Sequence, residues 1–202
     1  MSTRCLLALL APLMLSGCIA SAVGANETPD ETFLLDTPDA VGELSPASGV
    51  QLLVPEPSAV EVVVSKRIIV RVGPREVQYL GGARLGDSVT RLTQFKLKRA
   101  LESGRGIGAV GLPGEGLAID YQVLTDIRAF EIVAGPPAVA RVALTVRLLD
   151  DRSGNVVAGR VFTASAPVPG GVEVVNDAYL AALDAALDNA LVDIRGWVVA
   201  RV

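Results

Sequence analysis

Apolar and polar side chains alternate over residues 121–133: Tyr121, Val123, Ile127 and Ala129 face one way, Gln122, Asp126 and Arg128 the other. The same period returns in Val142, Leu144, Val146 and Leu148 against Arg141, Ala143, Thr145 and Arg147. A period of two is the mark of a strand with one buried face. Gly135-Pro136-Pro137 turns the first run into the second, and Asp151-Arg152-Ser153-Gly154-Asn155 turns the second into Val156 to Ala164. The pattern predicts a half-buried antiparallel meander.

Two helical periods frame it. Gly86-Asp87-Ser88 opens the first, with Asp87 as its N-cap, and Gly104 stops it. Val89, Leu92, Phe95, Leu97 and Ala100 form its apolar stripe, with Arg91, Lys96, Lys98 and Arg99 mostly outside. The second follows Pro167 to Gly171 and carries Leu180, Leu183, Leu187, Ala190 and Ile194 at three- and four-residue steps. Asp177, Asp184, Asp188 and Asp193 mark its wet side. Upstream, Ile68 to Val72 and Glu76 to Tyr79 flank Gly73-Pro74-Arg75 as a hairpin. Thr32 to Leu35 and Gln51 to Val54 are short apolar runs, separated by a loop holding Pro38, Gly42, Pro46 and Gly49. This order predicts an α+β fold, an antiparallel β-sheet packed against two main helices.

The start of the chain has a different logic. One positive charge, Arg4, precedes the apolar run Leu6 to Leu15, which is too short to span a bilayer and suits a signal-peptide core. Leu15-Ser16-Gly17-Cys18 then has the form of the bacterial lipobox. That chemistry needs the Cys18 thiol to take a diacylglycerol as a thioether, and cleavage before it frees an amine for a further acyl chain. The expected divisions are a lipoprotein signal peptide at 1–17, a flexible lipid-anchored tether at 18–31 and one domain at 32–202. Cys5 leaves with the signal and Cys18 is occupied by lipid, so the core alone holds the fold. Half the residues are apolar, which suffices for that. The formal charge of −4 becomes −5 once Arg4 is removed, which argues against a broad basic face for nucleic acid. Ile19 follows the cysteine in place of the aspartate that usually retains a Gram-negative lipoprotein in the inner membrane, so the outer membrane is the expected location.

Candidate chemistry thins out on inspection. The chain has no histidine, which removes Ser-His-Asp and Cys-His catalysis and the commonest metal ligand. Gly106-Ile107-Gly108-Ala109-Val110-Gly111 fits G-x-G-x-x-G, but a helix precedes it and Pro113 and the nearby glycines forbid one after it. A dinucleotide site needs the opposite order, so this reads as a turn and an edge strand. No phosphate loop occurs, so ATP-driven work falls to a partner. Asp150-Asp151 reads as a hairpin tip, not as half of a carboxylate or calcium site with Asp126. Asp184 and Asp188 fit a solvated helix face, as do Lys96, Lys98 and Arg99, whose other reading is contact with headgroups or an acidic neighbour. Arg141 and Arg147 point outward toward water or an acidic partner, and Trp197 reads equally as core or as an interface anchor. No catalytic, metal-binding or cofactor-binding residue is expected, and Cys18 is the one modified site.

The run Ile69-Val70-Arg71-Val72-Gly73-Pro74-Arg75-Glu76-Val77-Gln78-Tyr79-Leu80 resembles the strand-hairpin of the ABC-type transport auxiliary lipoprotein family, which includes the lipoprotein of the paraquat-inducible system. Ala83 to Ser88, Gly106 to Val110 and Asp120 to Glu131 follow in that family's order, so the resemblance covers roughly Thr32 to Ile194. One departure is Leu85, where the family commonly has tryptophan at a packing position. The resemblance implies a periplasm-facing binding and scaffolding subunit, not an enzyme, in a system moving lipids or other hydrophobic solutes between membranes. Its partners would be an ABC permease, an ATPase and an MCE-domain protein, with a lipid membrane held through Cys18 and self-association as a further possibility. Strand edges such as Glu76 to Tyr79 and Ile107 to Val110 are the expected places for extending a partner's sheet. The alternative is a stand-alone outer-membrane lipoprotein with a structural or assembly role.

Overall fold

Residues 30–35, 49–103, 105–169 and 176–202 are described in a computed structural model of the chain. They form β1 (Glu31–Phe33), β2 (Gln51–Leu53), β3 (Ser58–Ala59), α1 (Glu61–Val64), β4 (Arg67–Arg71) and β5 (Val77–Leu85). After these come α2 (Val89–Glu102), β6 (Ala109–Gly111), β7 (Tyr121–Val133), β8 (Val139–Asp150), β9 (Val156–Pro167) and α3 (Asn176–Val199). The expected signal peptide, most of the expected tether and Gly104 lie outside the described residues.

β7 is the spine of the single mixed sheet. On one side it pairs antiparallel with β8 along its whole length, from Tyr121↔Asp150 to Val133↔Val139, and β9 continues that meander as expected. On the other side β2, β3 and β4 lie end to end along one edge of β7, each parallel to it. The expected hairpin is present as the antiparallel pair β4·β5, while β1 joins β5 and β6 joins β2 in parallel. Parallel neighbours need a crossover, and the passage through α2 supplies one between β4 and β7.

One face of the sheet is the core. Val123, Ile127, Phe130, Ile132, Val142, Leu144, Val146 and Leu148 are buried there with Leu183, Leu187, Leu191, Ile194 and Val198 of α3. A register shift between Ile127 and Ala129 resets the alternation expected for β7. Beyond it Phe130, opposite the core residue Val142, points inward, and Ala129 joins the outer face instead.

α3 buries the residues its period predicts, including Leu180, Leu183, Leu187, Ala190 and Ile194. α2 departs from expectation at three places. Its N-cap is Ser88, whose side chain accepts from the Arg91 backbone N–H, while Asp87 accepts from the Ser88 N–H and pairs with Arg91. The Ser88 N–H and Arg91 together hold the Asp87 carboxyl below the usual range. Phe95 is largely outside the core at 41% exposure, with the Arg91 guanidinium 5.7 Å from its ring centroid. Lys96, expected to be solvated, is buried. Leu85 is fully buried, as a packing position should be.

Candidate functional site

The edges of the sheet leave backbone hydrogen-bonding groups without a strand partner among the described residues. In the hairpin the Val72 N–H donates to the Glu76 carbonyl, so Val72 and Glu76 form the hydrogen-bonded pair nearest the turn. Antiparallel ladders alternate, which makes Arg71↔Val77 the next, non-hydrogen-bonded pair. The Val77 N–H and C=O therefore point away from β4, and β1 covers β5 only from Ala83 onward. The edge expected at Glu76 to Tyr79 is thus open at Val77 and at Tyr79. Val72, Val77 and Tyr79 expose their side chains beside it, and the Arg67 guanidinium stacks 3.7 Å from the Tyr79 ring centroid.

The second expected edge is shorter than the sequence suggests. Among the described residues β6 pairs only with β2, but Ile107 is buried and precedes the strand. Gly108 is wedged against the Gly49–Val50 backbone, where a Cβ would sit 3.0 Å from the Val50 carbonyl oxygen. Gly108 thus serves close backbone packing, Gly106 takes a positive φ of 112° in the turn, and the turn-and-edge reading holds. A third edge, the whole of β9, escaped sequence reasoning although the last strand of a meander must be an edge. Among the described residues it pairs only with β8, and it exposes Val156, Val157 and Val161.

Several of the charged residues singled out in the sequence pair within the chain. Lys96, on the inward side of α2, meets both Asp184 and Asp188 of α3, the latter at 2.8 Å. What looked like two wet helix faces is one interhelical clamp. Arg141 pairs with Glu131, whose carboxylate also takes Arg71 at 2.7 Å. Burial works against the Glu131 charge, but the two arginines outweigh it and hold its carboxyl below the usual glutamate range. Asp126 accepts from the Ser58 hydroxyl, Asp151 from Gln122 and Asp150 from the Ser153 N–H, which lowers the Asp150 carboxyl. These three aspartates do not converge on a cation. Trp197 is a core residue, edge-on to Phe162 with ring centroids 5.6 Å apart.

Among the described residues no group of three or more His, Cys, Asp or Glu side chains could hold a metal, and no helix is long and apolar enough to cross a membrane. Cys18 lies outside the described residues.

Known proteins share this architecture. Protein XCC0632 from Xanthomonas campestris, a DUF330 protein of known crystal structure, is 29% identical and superposes with a TM-score of 0.71 over 84% of this chain and 95% of its own. A second crystal structure, of an uncharacterized protein, gives a TM-score of 0.65 over 84% of this chain and 99% of its own at 9% identity, a likeness of fold alone. The uncharacterized protein bll6063 of Bradyrhizobium diazoefficiens is 29% identical over 193 residues, 94% of this chain. The chain spans only 50% of that relative's length. The family model for ABC-type transport auxiliary lipoprotein components matches residues 33–195, most of the chain. The chain belongs to the ABC-type transport auxiliary lipoprotein component family.

Proposed function

We propose that the protein is the membrane-anchored periplasmic auxiliary subunit of an MCE-associated ABC system that moves lipids or other hydrophobic solutes between membranes. It acts by binding and scaffolding. Cys18, carrying a diacylglycerol and an N-acyl chain, holds it at the periplasmic face of the outer membrane, since two or three chains make attachment durable. The permease and ATPase supply the energy-driven step, and the MCE-domain protein is the direct partner. The observation that carries this reading is the Leu15-Ser16-Gly17-Cys18 motif standing just upstream of the family domain.

The open backbone at Val77 and Tyr79 offers a place for a partner strand to add to the sheet. A chain without histidine has few means for covalent chemistry, and the carboxylates around Lys96 and the Glu131 carboxylate are taken up in internal ion pairs. Metabolic labelling with a palmitate analogue tests the anchor: Cys18→Ser should lose the label and leave the precursor uncleaved. Undiminished label on the serine variant would contradict it.

A further inference from the structure

The sheet face turned away from α2 and α3 has a charge pattern that the scaffolding role leaves unused. In β8 the buried Ala140, Val142, Val146 and Leu148 point to the helices, so Arg141 and Arg147 lie on the other face. In β5 the buried Ala83 and Leu85 flank exposed Arg84, whose ladder partner on β4 is Arg67. Arg71 reaches Glu131 on the same side. Arg67, Arg71, Arg84, Arg141 and Arg147 thus share one face. The carboxylates of β4, β5, β7 and β8 on it are Asp126 and Glu131, which leaves a surplus of three positive charges in a chain of formal charge −4. Alternation hides this in the sequence, because each arginine stands alone among apolar neighbours.

The border of this face is where the tether joins. β1 pairs with β5, and Arg84 Nε donates to Thr32 Oγ1 at 3.1 Å. The thirteen residues 19–31 separate that point from Cys18. Fully stretched they reach roughly 40 Å, so the face lies within easy range of the leaflet that holds the anchor.

We propose that this arginine face rests on anionic phospholipid headgroups of that leaflet, orienting the domain with α2 and α3 away from the membrane. This rests on the reading of Cys18 as lipidated. Guanidinium groups match phosphate oxygens in pairs. Each arginine near an anionic surface contributes roughly fivefold in partitioning. Anchoring makes the contact intramolecular, at effective concentrations on the order of millimolar, so a few such contributions set the orientation.

The test uses the full chain, matured in cells and reconstituted into phosphatidylethanolamine vesicles with or without phosphatidylglycerol. A photo-crosslinking residue replaces Thr163, exposed on the arginine face, or Ala185, exposed on α3. Labelled phospholipid should cross-link from position 163 and only weakly from 185. The difference should require phosphatidylglycerol and vanish in concentrated salt. Arg84→Gln with Arg147→Gln should reduce it by roughly twentyfold, and Arg147→Glu alone by at least about fivefold. Flotation in concentrated salt reads the anchor separately. A chain that floats there but cross-links equally from both positions, or equally without phosphatidylglycerol, keeps the anchor and overturns the arginine face. A chain that floats only on anionic vesicles at low salt, with the asymmetry intact, keeps the face and overturns the anchor.

Discussion

Arg71 Nη2 lies 2.7 Å from a Glu131 carboxylate oxygen, an ion pair that ties β4 to β7 across a parallel pairing. The Glu131 side chain is 3% exposed, whereas Arg71 and Arg141 keep 30% and 43% of theirs in solvent. Glu131→Gln frees two arginines that can still reach water, so its cost should be about 1–3 kcal/mol.

The same carboxylate gives the domain an acid limit. Its folded pKa is lowered, so its stabilisation is complete above the ordinary glutamate value of 4.5 and is lost as pH falls through the lowered one. Urea midpoints measured down a pH series should decline below that value, and Glu131→Gln should flatten part of the decline. An unchanged slope in the variant would remove Glu131 from the account.

Lys96 is the more severe position. Its side chain is 3% exposed between Asp184 and Asp188, themselves 13% and 37% exposed. Lys96→Met keeps the length of the side chain but leaves two neighbouring carboxylates without their shared cation. The loss should be about 3 kcal/mol, a fall of roughly 6–12 °C in Tm for a domain of this size. Thermal melts by circular dichroism read it directly.

Trp197 is the chain's single tryptophan and is buried against Phe162. Its emission should be blue-shifted in the native protein and move red in one cooperative step on unfolding. Trp197→Ala should cost about 3–5 kcal/mol, with the loss seen in chemical denaturation followed by far-ultraviolet circular dichroism.

Val77→Pro separates edge recognition from stability. The Val77 N–H points away from β4, so proline removes an outward donor while the β4·β5 ladder bonds remain. The melt should change little while partner binding or self-association weakens. A steep stability loss with unaltered binding would place recognition on another edge, such as β9.

The long periodic elements were legible because burial repeats along them: β7, β8, β9 and α3 each present an apolar series to one surface. The parallel partners of β7 were not, since β2, β3 and β4 each pair through only two or three residues. So short a contact leaves no period to read. The Lys96–Asp184 contact joins residues 88 positions apart, and each helix alone resembled an ordinary amphipathic one. Charge normally signals solvent, and only the packing of α2 on α3 turns that signal inward. At the helix start two capping residues stand side by side, and spacing alone favoured Asp87 over Ser88. The β5 edge was recognisable from its hairpin, but its open end at Val77 follows from hydrogen-bond alternation, which needs the register.

The central claim is that this chain supplies contacts in an ABC transport assembly and performs no covalent chemistry. It is tested most directly by cross-linking in cells from a photo-reactive residue at Val77, followed by identification of the attached protein. The account predicts an MCE-domain protein of the same transport system, with the cross-link lost in cells lacking that partner. Cross-linking to no transporter component, together with esterase turnover by the protein that persists through repurification, would contradict it.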